Sequence, residues 1–124
     1  MAKKILVVED NPTNMKLLLA ALRPQGYDLI QATDGEEALK TAISKSPELI
    51  IMDVQLPKMN GMEVTGKLRE MPEFSDVPII AVTAYAMKVD KEKALESGCN
   101  AYLSKPINIQ ELRNVVAEML LLQR

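Results

Sequence analysis

Histidine is absent from this 124-residue chain, and cysteine occurs once, at Cys99. Without histidine there is no Ser-His-Asp or Cys-His catalysis, no histidine metal site and no histidine to phosphorylate. A single cysteine excludes an internal disulfide framework and a cysteine-based zinc cluster. No apolar run approaches the length of a membrane span, and Met1-Ala2-Lys3-Lys4 leads straight into a strand-like segment rather than a signal peptide. Neither sign of charge dominates: 15 lysines and arginines face 17 acids, a net charge of −2. That balance gives no general attraction to DNA, RNA or an anionic bilayer. Direct nucleic-acid binding and membrane insertion are therefore not expected, and the cytoplasm is the expected location. A glycine-rich phosphate loop is missing too, since Glu9-Asp10-Asn11-Pro12-Thr13-Asn14 contains no glycine. Chemistry must rest on carboxylates, hydroxyls, lysines and a hard metal ion.

What is present is a chain with 48% apolar residues, enough for one well-buried core. Short β-rich runs alternate with helical patterns throughout. Lys4-Ile5-Leu6-Val7-Val8 is nearly all apolar, as in a strand covered on both faces. Asn11-Pro12 supplies an N-cap and an N1 proline, and Met15, Leu18, Leu19 and Leu22 form a helical stripe that Gly26 ends. Residues 27–32 read as a second strand. Asp34-Gly35 opens a helix with Ala38, Leu39, Ala42 and Ile43 on one face. Leu49 to Met52 forms a third strand ending at Asp53. Asn60-Gly61 leads into a helix carrying Val64, Leu68 and Met71. A fourth strand, 78–82, ends at Thr83, and a weaker helix over 89–97 is closed by Gly98. Ala101-Tyr102-Leu103 is the fifth strand. Asn108 and Glu111 then resemble a capping box ahead of Ile109, Leu112, Val116 and Met119. Such alternation implies an α/β fold, a doubly wound parallel sheet with helices on both faces.

In an open α/β sheet, ligands bind beyond the carboxyl ends of the strands. Those ends carry Glu9 and Asp10, then Asp53, Thr83 and Lys105-Pro106. Three carboxylates close together repel one another and raise each other's pKa unless a cation joins them. Oxygen-only donors favour a hard ion, for which Mg²⁺ is the natural candidate, with Mn²⁺ as a substitute. Lys105 is placed to neutralise a second phosphate oxygen and Thr83 to donate to a third. Phosphoryl transfer needs this kind of charge compensation, and Asp53 is the best nucleophile available.

Glu9-Asp10, Asp53 within MDVQLPKMNG, Thr83-Ala84 and Lys105-Pro106 resemble the response-regulator receiver domain, over essentially all of 1–124. The resemblance implies a CheY-like, flavodoxin-like sheet with strand order 2-1-3-4-5. It also implies that Asp53 accepts a phosphoryl group from a histidine kinase or histidine phosphotransfer protein. Asp10, Asp53 and the Gln55 backbone carbonyl would bind Mg²⁺, with Glu9 acting through water. Lys105 would pair with the phosphoryl group, and the peptide before Pro106 would be cis. Thr83 and Tyr102 match the family's switch pair, which alters partner affinity at the face of the fourth helix, fifth strand and fifth helix. Gln55, Met59 and Tyr85 are expected to tune the lifetime of the acyl phosphate. The length leaves nothing for an output domain, so the expectation is one receiver domain, monomeric or weakly dimeric, signalling through protein contacts. Residues 83–87, Cys99 and 102–107 are similar to the DivK-like single-domain regulators of cell division, which implies a role in cell-division or cell-cycle control.

Other readings compete. An aspartate-nucleophile phosphatase would carry a second acid two residues after Asp53, where this chain has Gln55, which cannot protonate a leaving group. A receiver-fold scaffold would not require all of Glu9, Asp10, Asp53, Thr83 and Lys105. A receiver module from a hybrid histidine kinase would share much of the pattern. The expectation is a signalling protein rather than an enzyme, apart from self-catalysed phosphorylation and hydrolysis. Cys99 reads as a small buried residue with no redox task. Gly35, Gly61 and Gly98 read as turn and cap residues. Met59 and Met87 are candidates for partner contact, and the charges over 88–93 read as a solvated helix face.

Overall fold

The computed structural model describes residues 2–84 and 88–122, and the side chains of these apart from 88–91 and 122. Among the described residues, five strands alternate with five α-helices: β1 (Lys4–Val8), α1 (Pro12–Leu22), β2 (Asp28–Ala32), α2 (Gly35–Lys45), β3 (Leu49–Asp53), α3 (Gly61–Arg69), β4 (Ile79–Thr83), α4 (Lys88–Glu96), β5 (Ala101–Ser104) and α5 (Ile109–Leu122). The strands form one parallel sheet in the order β2-β1-β3-β4-β5. This is the flavodoxin-like order that the sequence resemblance implies.

Alternation along each central strand divides the core in two. Ile5, Val7, Leu49, Ile51, Ile80 and Val82 pack with Leu18 and Leu22 of α1 and with Leu112 and Val116 of α5. On the other face, Leu6, Val8, Ile50, Met52, Ile79 and Ala81 pack with Ala38 and Ala42 of α2 and with Val64 and Leu68 of α3. β3 and β4 are buried along their whole length, which explains why their sequences are continuous apolar runs rather than alternating ones.

Helix starts follow the side chains foreseen. Asn11, Asp34, Asn60 and Asn108 each accept the N–H three residues on, at 3.0, 2.8, 2.9 and 2.9 Å. Helix ends differ slightly from the pattern. α1 stops at Leu22 and tightens into a 3₁₀ turn over Arg23–Gln25 before Gly26, because Pro24 has no N–H to continue the helix. Met71 falls beyond α3, ahead of a second 3₁₀ turn over Pro72–Phe74. Ile43 belongs to the predicted α2 stripe yet stays 53% exposed; it is Ala38 and Ala42 of that stripe that are fully buried in the core.

The edge of the sheet where β4 and β5 begin is tied by a residue that the sequence pattern does not mark. Arg69, at the end of α3, donates to the carbonyls of Phe74 and Val77, to Gly98 O at 3.0 and 2.8 Å, and to Asn100 Oδ1 at 2.8 Å. Gly98 has φ +116°, and a Cβ there would sit 2.8 Å from Arg69 Cγ, so glycine serves both the turn and the arginine.

Candidate functional site

The opposite edge gathers the polar residues. β1, β3, β4 and β5 are consecutive neighbours, and their register brings Val8 beside Met52, Asp53 beside Val82 and Thr83 beside Ser104. Residues following those strands therefore converge. Glu9, Asp53 and Thr83 are buried, at 1%, 2% and 1% exposure, while Asp10 is exposed. Lys105, half-buried, reaches both acids: its Nζ lies 3.0 Å from Glu9 Oε1 and 3.1 Å from Asp53 Oδ2. The lysine backbone is itself fixed by a 2.8 Å hydrogen bond from its N–H to Thr83 O. The Lys105–Pro106 peptide is cis, as the resemblance implies.

Each acid has one oxygen held by the backbone. Asp53 Oδ1 accepts from the Gln55 N–H at 3.0 Å, and Glu9 Oε2 accepts from the Asn11 N–H at 3.2 Å. Glu9 Oε1 faces the Lys105 ammonium at ion-pair distance but makes no hydrogen bond of good geometry. Burial, and then the Asp53 carboxylate beside it, push the Glu9 carboxyl up to about 7. Burial alone would lower the Lys105 ammonium, but Glu9 and Asp53 outweigh it and hold it above its ordinary value. The cluster thus carries more negative charge than one lysine neutralises.

Glu9, Asp10 and Asp53 each offer a carboxylate oxygen, and these lie within 4.8 Å of one another. An oxygen-only donor set of two buried carboxylates and one exposed one, with surplus negative charge, fits a hard divalent cation and offers nothing to a softer one. Thr83 and Tyr102 stand on adjacent strands. Tyr102 is in register with Ala81, two residues before Thr83, so both project to the α2–α3 face of the sheet. Tyr102 is half-buried against that core. Cys99 is buried with its Sγ 3.8 Å from Thr65 Oγ1, and burial pushes the thiol up, in keeping with no redox task. Tyr85 and Met87 lie outside the described residues, as do the side chains of Lys88, Asp90 and Lys91; Glu92 and Lys93 are solvent-exposed.

Two glycines read from sequence as turn and cap residues prove to be points of close approach. A Cβ on Gly61 would collide with the Asp53 carbonyl oxygen, and one on Gly35 with the Met59 carbonyl oxygen. Neither contact has a local sequence signal, because the partners lie 8 and 24 residues away.

The profile of a family described as "Response regulator receiver domain" matches residues 5–117. The chain belongs to the response-regulator receiver family. This receiver is 47% identical over 109 residues to the polar-differentiation response regulator DivK of Brucella ovis, covering 88% of this chain and 89% of that one. Among solved structures, a putative response regulator of Chloroflexus aurantiacus superposes with a TM-score of 0.94 at 34% identity, over 98% of this chain and 99% of the other. The receiver domain of the Pseudomonas aeruginosa sensor histidine kinase PA1611 gives a TM-score of 0.90 at 37% identity, over 97% and 98%. That structure has a magnesium ion coordinated in its active-site cleft. The present receiver is accordingly a two-component signalling domain. Among the described residues, no helix is long and apolar enough to cross a membrane.

Proposed function

We propose that Asp53 of this receiver accepts a phosphoryl group from the phosphohistidine of a histidine kinase or phosphotransfer protein. An Asp53 carboxylate oxygen attacks phosphorus, the new O–P bond forms as the P–N bond breaks, and the imidazole keeps the electron pair. Asp10, Asp53 and the Gln55 carbonyl would hold Mg²⁺, with Glu9 behind a water and Mn²⁺ as an alternative; the ion, when bound, offsets charge on the phosphoryl oxygens. Lys105 pairs with one phosphoryl oxygen and Thr83 donates to another. The observation that carries this reading is the half-buried Lys105 Nζ within 3.1 Å of both Glu9 and Asp53, beside a third carboxylate. A lysine so placed counters charge on an oxygen that replaces one of the carboxylates' own contacts.

Thr83 and Tyr102, diagonal neighbours on one face of β4 and β5, make up the switch: Thr83 moves toward the phosphoryl oxygen and the Tyr102 ring turns inward. The α4-β5-α5 face then changes its affinity for a downstream protein. The likeness to the polar-differentiation regulator DivK supports a role in cell-division or cell-cycle control; the cytoplasm is the proposed location.

Intact mass after incubation with acetyl phosphate tests the acceptor. Wild type is expected to gain a Mg²⁺-dependent phosphoryl adduct that Asp53→Asn lacks. An adduct of equal yield on Asp53→Asn places the acceptor elsewhere.

A further inference from the structure

The loop from Val54 to Asn60 carries Gln55, whose N–H holds Asp53, and it is pinned at both ends. Val54 N–H donates to Val82 O at 2.9 Å, and Gly61 N–H closes the loop on Val54 O at 2.9 Å. Its outer turn is tight, with Met59 N–H donating to Pro57 O at 2.8 Å and Lys58 held at φ +69°. A non-glycine residue in that region is strained, so something must over-determine the turn. The first turn of α2 supplies it. Gly35 is buried against Met59: an added Cβ would overlap the Met59 carbonyl oxygen and lie 2.7 Å from Met59 Cβ. These are backbone atoms and the root of a side chain, which cannot swing aside as a flexible tip can. The Lys58–Asp34 ion pair, at 3.7 Å and well exposed on the lysine side, is too loose to set the position by itself.

We infer that Gly35 is a positioning residue for the cation and phosphoryl site. Its bare Cα seats Met59, and the seated turn sets where Gln55 stands relative to Asp53. The inference rests on the Asp53 site proposed above.

The test is NMR titration of metal-free protein with MgCl₂, comparing wild type, Gly35→Ala and Gly26→Ala. Gly26 has φ +82° in open space on the α1–β2 connection, so its alanine variant strains the backbone without touching the loop. Gly35→Ala is expected to raise the Mg²⁺ Kd about tenfold, the scale seen when groups supporting a metal ligand are displaced. It should also shift the amide signals of residues 54–61. Gly26→Ala should lower the melting temperature and leave the Mg²⁺ Kd within about twofold. A folded Gly35→Ala protein with wild-type Mg²⁺ affinity overturns the inference alone, whereas wild type that binds no Mg²⁺ overturns the site reading with it. Should Gly35→Ala fail to fold, Met59→Gly tests the same contact from the loop. It removes the Cβ that rests on Gly35 and is expected to weaken Mg²⁺ binding several-fold; unchanged affinity there overturns the inference.

Discussion

Two half-buried cations stand at opposite edges of the sheet, and their surroundings differ in charge. Among the described residues, Arg69 donates to neutral acceptors, the carbonyls of Phe74, Ser75, Val77 and Gly98 and the amide oxygen of Asn100, while the Asp76 carboxylate acts on it from beyond ion-pair distance. Lys105 meets the buried carboxylates of Glu9 and Asp53, with Asp10 nearby. The guanidinium fork is spent on carbonyls that would otherwise lack donors, so its cluster is complete. The lysine cluster has surplus negative charge, a Glu9 carboxyl pushed up to about 7 and an oxygen without a good hydrogen bond. A buried charge whose partners are all neutral is a strut. One whose partners exceed its own charge is waiting for a further cation, which is what a phosphoryl-accepting site requires.

Replacing each cation in turn sharpens the contrast. Arg69→Met keeps the apolar length of the side chain but leaves several partly buried carbonyls unpaired, so it is expected to cost about 3 to 4 kcal/mol of stability. Its Mg²⁺ affinity should stay near wild type. A urea midpoint unmoved by Arg69→Met would mean that water replaces the guanidinium and that the strut is dispensable. Lys105→Met should do the opposite. Its phosphorylation rate from acetyl phosphate is expected to fall about a hundredfold, the usual effect of losing one preorganised charge partner. With Mg²⁺ present its midpoint should move less than that of Arg69→Met, because the added cation takes over neutralisation of Glu9 and Asp53. If Lys105→Met is phosphorylated at the wild-type rate, the lysine plays no part in transfer.

The sequence makes the second cluster readable and the first invisible, for a physical reason. Glu9, Asp53, Thr83 and Lys105 each follow an apolar run, and parallel strands place all such ends at one edge. The caps at Asn11, Asp34, Asn60 and Asn108 are legible because their acceptors lie three residues away. Arg69 sits at a helix end, where a basic residue is ordinary, and its partners at Gly98 and Asn100 are 29 and 31 residues distant. A separation of 24 residues likewise hides the seat that Gly35 gives Met59, although a glycine opening α2 is plain in the sequence.

The smallest expected effect probes the surplus charge itself. In metal-free protein Glu9 titrates near 7, against 4.5 for an ordinary glutamate, so between those values the folded chain holds a proton that the unfolded chain has lost. The Glu9 contribution is then fully present below the unfolded value and is lost as pH rises through 7. Stability in urea with a chelator present should accordingly fall from pH 5.5 to pH 8, by something on the order of 2 kcal/mol. Glu9→Gln, which keeps the shape and removes the titration, should flatten that slope, while Arg69→Met should lower the whole curve without changing its tilt. A wild-type curve that rises over this range would show that Lys105 already neutralises the acids, and the contrast between the two edges would collapse into one of geometry alone.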